Sequence, residues 1–184
     1  YDTLQQLVSS GQRNVEAVER SNILGRDTAY YSRPLTYEGM QTSAQRLAFR
    51  EAWMAEALEA VKDCDLVFVD PDNGIGSTAQ AHSRLGAKHA LLEELIPCFS
   101  RGQTLIIYHH LNRSRTADTQ IRLWGTILSS KFGRYGHCSA VRFKRGSARV
   151  FFVIQQKEHE TILKPRVISM FTTLWSDHSL YYQF

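Results

Sequence analysis

The chain has 184 residues, of which 43% are hydrophobic, and this is enough apolar material for one domain with its own core. Its net charge of +4 at pH 7 is too modest to indicate a nucleic-acid partner without further evidence. The longest apolar runs have strand length, well below the roughly 20 residues of a bilayer crossing, so we expect no membrane partner. The three cysteines form no C-x-x-C pair, which is typical of reduced thiols in a cytoplasmic protein.

The chain contains no internal repeat, low-complexity tract or proline-rich linker that would divide it. We therefore predict a single α/β domain spanning residues 1–184. Tyr1 is neither an initiator methionine nor the start of a signal pattern. The natural protein is therefore expected to carry an N-terminal segment upstream of it.

The first elements predicted in chain order are one strand, one long helix and a buried strand. Residues 14–19 fit either a strand or a helical turn, and residues 28–31 favour a strand. Residues 39–62 are rich in helix-forming side chains, with apolar residues at helical spacing. The continuous apolar run at 66–69 is typical of a strand that is covered on both faces in a parallel sheet.

The rest of the chain alternates between helices and strands. The predicted elements are a helix at 87–99, a strand at 104–108, a helix at 118–132, two hairpin strands at 139–144 and 148–154, and a helix near 159–174. This order predicts a three-layer, Rossmann-like α/β fold with a mostly parallel sheet and a C-terminal antiparallel hairpin.

Polar residues follow each of the two buried strands. The first group is Asp70, Pro71, Asp72 and Asn73 with Gly74, and the second is Tyr108, His109, His110, Asn112 and Arg113. Ligands of open α/β sheets bind beyond the carboxyl ends of the strands, so we predict that the two groups form one site. The alternative for the first group is a simple Asp-Pro turn. Since adjacent strand residues point to opposite faces, only one of the two histidines is expected to face the site.

The run from Asp65 to Pro71, followed by a helix and the strand at 105–108, resembles the catalytic-motif strand of S-adenosylmethionine-dependent amino-methyltransferases. That family has Asp/Asn-Pro-Pro-Tyr/Phe at the corresponding turn. The hairpin at 139–154 is similar to the antiparallel pair that closes the methyltransferase sheet. In detail, the residues from Phe68 to Gly74 and from Leu105 to Arg113 resemble a group of bacterial proteins that supplies no activity to carry over.

The resemblance implies that Asp70 accepts the target amine of a nucleic-acid base, that Pro71 fixes the turn, and that S-adenosylmethionine is the cofactor. Asp72 and Asn73 stand where the family has proline and an aromatic residue, so this loop lacks the stacking ring. Tyr108 and Tyr37 are the candidates for that role. No glycine-rich loop follows an early strand, so the usual cofactor motif is either upstream of Tyr1 or absent.

Basic residues of the second half are the candidates for phosphate contacts: Arg113, Arg142, Lys144 and Arg145. With Tyr108 and Asn112 they form the predicted substrate-binding set. The alternative is that the charged positions of the hairpin are merely solvated and contact no ligand.

Two other functions fit the same residues. In a metal-dependent nuclease or phosphohydrolase, Asp70 and Asp72 hold a magnesium or manganese ion, with His109 or His110 as a ligand or general base. In a catalytically silent binding module, the same polar edge contacts a partner without turnover.

Overall fold

The structure is a computed structural model that describes residues 2–12, 14–133, 136–144 and 149–184. The chain forms two compact units, one ending at Cys64 and the other beginning at Asp65. Two compact units can belong to one domain, so the single-domain prediction stays a prediction. In the described parts of the chain, all strands belong to the second unit.

The first unit contains α1 (Asp2–Ser9), α2 (Val15–Ser21) and α3 (Ser43–Ala60). Asn14 caps α2, since its side-chain oxygen accepts a hydrogen bond of 2.8 Å from the Ala17 N–H. This local cap selects the helical alternative for residues 14–19. At α3, Thr42 and Gln45 form a capping box, and the long helix predicted for residues 39–62 is confirmed in a shorter form.

The strand predicted at residues 28–31 is wrong, because this segment pairs with no strand. Side chains hold it instead. The Tyr31 hydroxyl donates to Glu56 at 2.7 Å, and the Tyr31 ring meets Trp53 edge-on at 5.1 Å. Trp53 in turn donates its indole N–H to the carbonyl of Arg33 at 2.9 Å. Tyr31, one of the aromatic residues that suggested a strand, therefore anchors this segment to α3.

The second unit is built on a five-stranded sheet in the order β1-β4-β6-β5-β7, with β2 and β3 as a separate parallel pair. The strands are β1 (Leu66–Val69), β2 (Gly74–Gly76), β3 (His89–Leu91), β4 (Thr104–His110), β5 (Gly136–Phe143), β6 (Arg149–Gln156) and β7 (Ser179–Gln183). The helices are α4 (Leu92–Ser100), α5 (Ala117–Phe132) and α6 (Glu160–Met170).

The predicted Rossmann-like, mostly parallel sheet is wrong. Only the β1–β4 pairing is parallel, while β4–β6, β6–β5 and β5–β7 are antiparallel, so the sheet is mixed and largely antiparallel. The expectation that residues 66–69 form a strand covered on both faces is also wrong, because β1 is the terminal strand of the sheet order and Phe68 is 53% exposed. A continuous apolar run therefore specified neither the position of the strand in the sheet nor the direction of the other strands. β7 was not predicted at all, and it adds a further antiparallel strand.

The two faces of this sheet differ. On one, here called the helix face, Leu105 and Ile107 are fully buried, and Trp124 of α5 contacts the ring of His109. The other, called the aromatic face, carries Phe68, Tyr108 and Phe151. The main core lies on the helix face, where Phe152, Ile154, Ile121 and Leu128 are excluded from solvent.

The predicted C-terminal hairpin is confirmed, since β5 and β6 pair antiparallel with Phe143 opposite Arg149. The helices predicted at 118–132 and 159–174 exist with shifted ends, as α5 and α6. The helix predicted at 87–99 is correct only in its second part, α4, because residues 89–91 form β3. In the described ranges, none of the helices combines the length and apolar character that a bilayer crossing demands.

Candidate functional site

One edge of the five-stranded sheet gathers most of the residues that the sequence singled out. β1 is parallel to β4, and β6 runs antiparallel to both β4 and β5, so β1, β4 and β5 all end at this edge while β6 begins there. In register, His110 lies opposite Arg149, and Arg149 lies opposite Phe143. We call this region the polar edge and define it by Asp70, Asp72, His110, Lys144 and Arg149.

The turn after β1 brings two carboxylates to the polar edge. The Gly74 N–H donates to the carbonyl of Pro71 at 3.3 Å, and the Asn73 N–H donates to the carbonyl of Lys88 at 2.9 Å. Asp72 also forms an exposed ion pair of 3.6 Å with Lys88. Pro71 and Asn73 therefore shape the turn through their backbone, and the turn leaves Asp70 and Asp72 exposed.

The Asp70 carboxyl has an altered proton affinity. Neighbouring groups exclude water from part of the carboxyl, and this burial is the main cause of its raised pKa. The residue as a whole is exposed. The negative charge of Asp72 raises the pKa further, and the positive charge of Arg149 opposes both effects. Asp70 is therefore a stronger proton and hydrogen-bond acceptor than an ordinary aspartate.

His109 points away from this edge and serves the fold. His109 lies on the helix face and is only 6% exposed, and its Nδ1 accepts a hydrogen bond of 3.0 Å from the Ile75 N–H. Burial, followed by the nearby His110 and His89, lowers the pKa of His109 to about 4. Since Nδ1 is an acceptor, the ring is neutral and carries its proton on Nε2. This hydrogen bond therefore links the segment after β1 to β4.

Gly74 allows the backbone to approach His109 closely enough for this hydrogen bond. Its φ of +90° belongs to the region that favours glycine, and a Cβ there would lie 2.5 Å from His109 Nδ1 and 2.7 Å from His109 Cα. Only a residue without a side chain brings the backbone so close to the imidazole. The glycine of the Asp-Pro-Asp-Asn-Gly sequence thus packs against a histidine rather than leaving an open cradle.

His110 is the histidine that faces the site. It is exposed, and its Nδ1 lies 3.4 Å from the hydroxyl of Tyr108, which is two residues earlier in the same strand. The expectation that only one of the two histidines faces the site agrees with this arrangement.

An aromatic cluster that the sequence did not reveal lies beside the polar edge. The rings of Phe68 and Phe151 are stacked with centroids 6.3 Å apart, and Tyr108 lies 5.7 Å from Phe151. Phe68 is 53% exposed. We call Phe68, Tyr108 and Phe151 the aromatic platform. Tyr108 was a predicted site residue, whereas Phe68 and Phe151 were missed because the pairing of β4 with β6 places them together.

The other predicted substrate-binding residues have different surroundings. Asn112 organises the loop after β4, where its Oδ1 accepts a hydrogen bond of 2.9 Å from the Ser114 N–H. The buried Gln120, which the sequence did not suggest, donates to the carbonyl of Asn112 at 2.9 Å. Arg113 is exposed in the same loop.

Of the hairpin cations, Arg142 belongs to the fold. Its register partner is Val150, so it lies on the helix face, where it forms an ion pair of 3.5 Å with Asp118 of α5. Lys144 is exposed at the polar edge. Arg145 lies outside the described residues.

The part of the chain that the structure describes contains no group of three or more histidine, cysteine, aspartate or glutamate side chains arranged to hold a metal ion. No family model, curated protein or solved structure matches this chain.

Proposed function

We propose that this protein binds nucleic acid at the polar edge, as a methyltransferase-like protein in which Asp70 accepts a hydrogen bond from the amine of a base. One observation carries the proposal: the exposed ring of Phe68 precedes the Asp70 carboxylate by two residues, at the end of the same strand. A nucleobase offers both matching features, a flat π face and an amine on its edge.

The electrostatics of the edge support this assignment. The raised pKa of Asp70 makes its carboxylate a strong acceptor for an N–H donor. Arg149 and Lys144 supply positive charge at the same edge, where phosphates of a bound strand need it. The aromatic platform takes the stacking role for which the loop after Asp70 offers no ring.

S-adenosylmethionine is the methyl donor that the resemblance implies, but the two glycines after β1 do not leave space for this cofactor. A Cβ at Gly74 would meet His109 at 2.5 Å, and one at Gly76 would meet the Cβ of His89 at 2.7 Å, so the protein's own histidines fill both positions. The proposal therefore covers recognition of the base, and it derives no methyl-transfer step from these residues.

The test compares the affinities of labelled oligonucleotides by fluorescence anisotropy. Cytosine- or adenine-containing strands are expected to bind about tenfold tighter than oligothymidine, because thymine lacks the exocyclic amine. Asp70→Asn should abolish this preference, since an amide offers both a donor and an acceptor. Asp65→Asn, at the other end of β1, is the matched control and should keep it.

Failure of every oligonucleotide to bind would overturn the proposal. A parallel calorimetric titration with S-adenosylmethionine measures whether the cofactor binds elsewhere in the protein. Oligonucleotide binding without cofactor binding or turnover would identify the protein as a catalytically silent binding module.

A second candidate, a metal-dependent nuclease or phosphohydrolase, is favoured by one observation. The negative charge of Asp72 raises the pKa of Asp70, and a divalent cation between the two carboxylates would relieve this repulsion. Calorimetric titration with magnesium and then manganese chloride tests it. The candidate is supported if metal binding is lost in Asp72→Asn and retained in Asp65→Asn. Unchanged metal binding in Asp72→Asn rules it out. His110 is the histidine available at this edge, because His109 is engaged by Ile75.

A further inference from the structure

The aromatic platform indicates whether the polar edge is suited to single-stranded or to double-stranded nucleic acid. The Phe68 ring is 53% exposed, and Phe151 stacks against it with 30° between the ring planes. Tyr108 lies 5.7 Å from Phe151 with its ring tilted by 57°, so the three side chains form one aromatic cluster in which Phe68 is the exposed member. A surface of this kind offers contacts to the faces of bases.

The faces of bases are not accessible in a duplex. Each base is stacked between its neighbours, and a protein in either groove reaches only the edges of the base pairs. Contact between a base and the Phe68 ring therefore requires a base that is unpaired or displaced from the stack.

The contact with Asp70 does not by itself exclude a duplex. The exocyclic amines of paired adenine and cytosine keep one N–H free in the major groove, where a carboxylate can accept it. Phe68 and Asp70 lie two residues apart at the end of one strand, so a base that contacts both must present its face and its amine together. Only a base outside the duplex stack presents both.

The distribution of charge is compatible with one extended strand. Lys144 and Arg149 lie at the polar edge beside the platform, whereas Arg142 on the helix face is engaged by Asp118. Positive charge along one side of an aromatic surface is the arrangement found where proteins bind single strands, with phosphates on the basic side and bases on the rings.

We infer that the polar edge and the aromatic platform bind single-stranded nucleic acid in preference to duplex. This inference rests on the proposed function, since it names the form of nucleic acid that the same site takes. RNA and DNA share the features on which it depends, so both are included as probes.

The experiment measures affinity for one mixed-sequence 20-mer as single-stranded DNA, as single-stranded RNA and as DNA duplex, at one fixed salt concentration. At least one single strand is expected to bind tenfold or more tightly than the duplex. Phe68→Ala should weaken single-strand binding by roughly 5- to 150-fold, the effect of losing one base–aromatic stack, and should leave duplex binding unchanged.

Two variants control for effects on the fold. Phe68→Leu keeps an apolar side chain on β1 and removes only the aromatic face, so it is expected to lose single-strand binding as Phe68→Ala does. Leu123→Ala truncates an equally exposed apolar residue, 47% exposed on α5, and should bind as the wild type does.

The outcomes separate the inference from the proposed function. Duplex binding as tight as single-strand binding overturns the inference and leaves the proposed function standing. The inference also fails if Phe68→Leu retains full single-strand affinity. If neither form binds, and sedimentation shows instead self-association that depends on Phe68, both are overturned, and the platform is a contact between two copies of the chain.

Discussion

The helix face and the aromatic face differ most at the end of β4, where His109 and His110 are adjacent. His109 is buried among Trp124, Phe152 and the Ile75 N–H, which it fixes by a hydrogen bond. His110 is exposed beside Tyr108 and contributes to the polar edge. Residues of the same type, one position apart, thus differ in environment: one is buried and hydrogen-bonded within the fold, and the other is exposed at the candidate site. The environment, rather than the residue type, assigns the role.

Truncation of each histidine tests this comparison most directly. His109→Ala is expected to lower the free energy of unfolding by about 4 kcal/mol, because it leaves a cavity and an unsatisfied Ile75 N–H. His110→Ala should change it by less than about 0.5 kcal/mol, as is usual for an exposed position. Urea denaturation measures both variants. Equal losses would show that the two faces do not differ as described.

The acid sensitivity of stability sharpens the comparison further. The unfolded chain has a histidine pKa near 6.5, whereas that of His109 in the folded protein is about 4, so the unfolded state binds the proton first as pH falls. The stabilising effect of neutral His109 is therefore complete above about pH 6.5 and is lost progressively down to about pH 4, by about 3 kcal/mol in total.

Urea denaturation between pH 7 and pH 4 measures this loss. His109→Gln is the comparison variant and should lack this part of the pH dependence, while His110→Gln should keep it. If the free energy of unfolding changed with pH in the wild type in the same way as it does in His109→Gln, the assignment of His109 as a neutral, buried acceptor would be wrong.

The contact between Gly74 and His109 is tested by a pair of glycines. Gly74→Ala and Gly102→Ala both place a side chain at a positive φ, +90° and +91°, but a Cβ at Gly102 meets nothing within 4 Å. Gly102→Ala should therefore cost about 1 kcal/mol of unfolding free energy, for backbone strain alone. Gly74→Ala adds the overlap with His109 and should cost about 3 kcal/mol. Indistinguishable losses would mean that the imidazole moves aside without cost.

The parts of the fold that follow from local sequence were predictable. Helix-forming side chains and the helical spacing of apolar residues located α3 and α5, and the short separation between Phe143 and Arg149 required an antiparallel hairpin. The pairing of β4 with β6 was not predictable, because it joins residues as distant as Leu105 and Ile154, and no local rule selects that partner. The error in the sheet class follows from this pairing, from the unpredicted β7 and from the strand wrongly predicted at residues 28–31.

The candidate site shows the same limit. Alternation along a strand separates His109 from His110, but it does not tell which face the helices cover, so the choice between them needed the structure. Phe68 and Asp70 are two residues apart and were recognisable as neighbours. Phe151 joins them only through the β4–β6 pairing, and the aromatic platform was therefore missed.

The position of β1 at the end of the sheet order has a consequence for solution behaviour. Its apolar residues, Leu66–Val69, are bracketed by Asp65 and Asp70, and charges beside a short terminal strand oppose the addition of strands from other molecules. We therefore expect Asp70 to protect the protein from aggregation. Because its pKa is raised, this protection disappears earlier during acidification than an ordinary aspartate would allow.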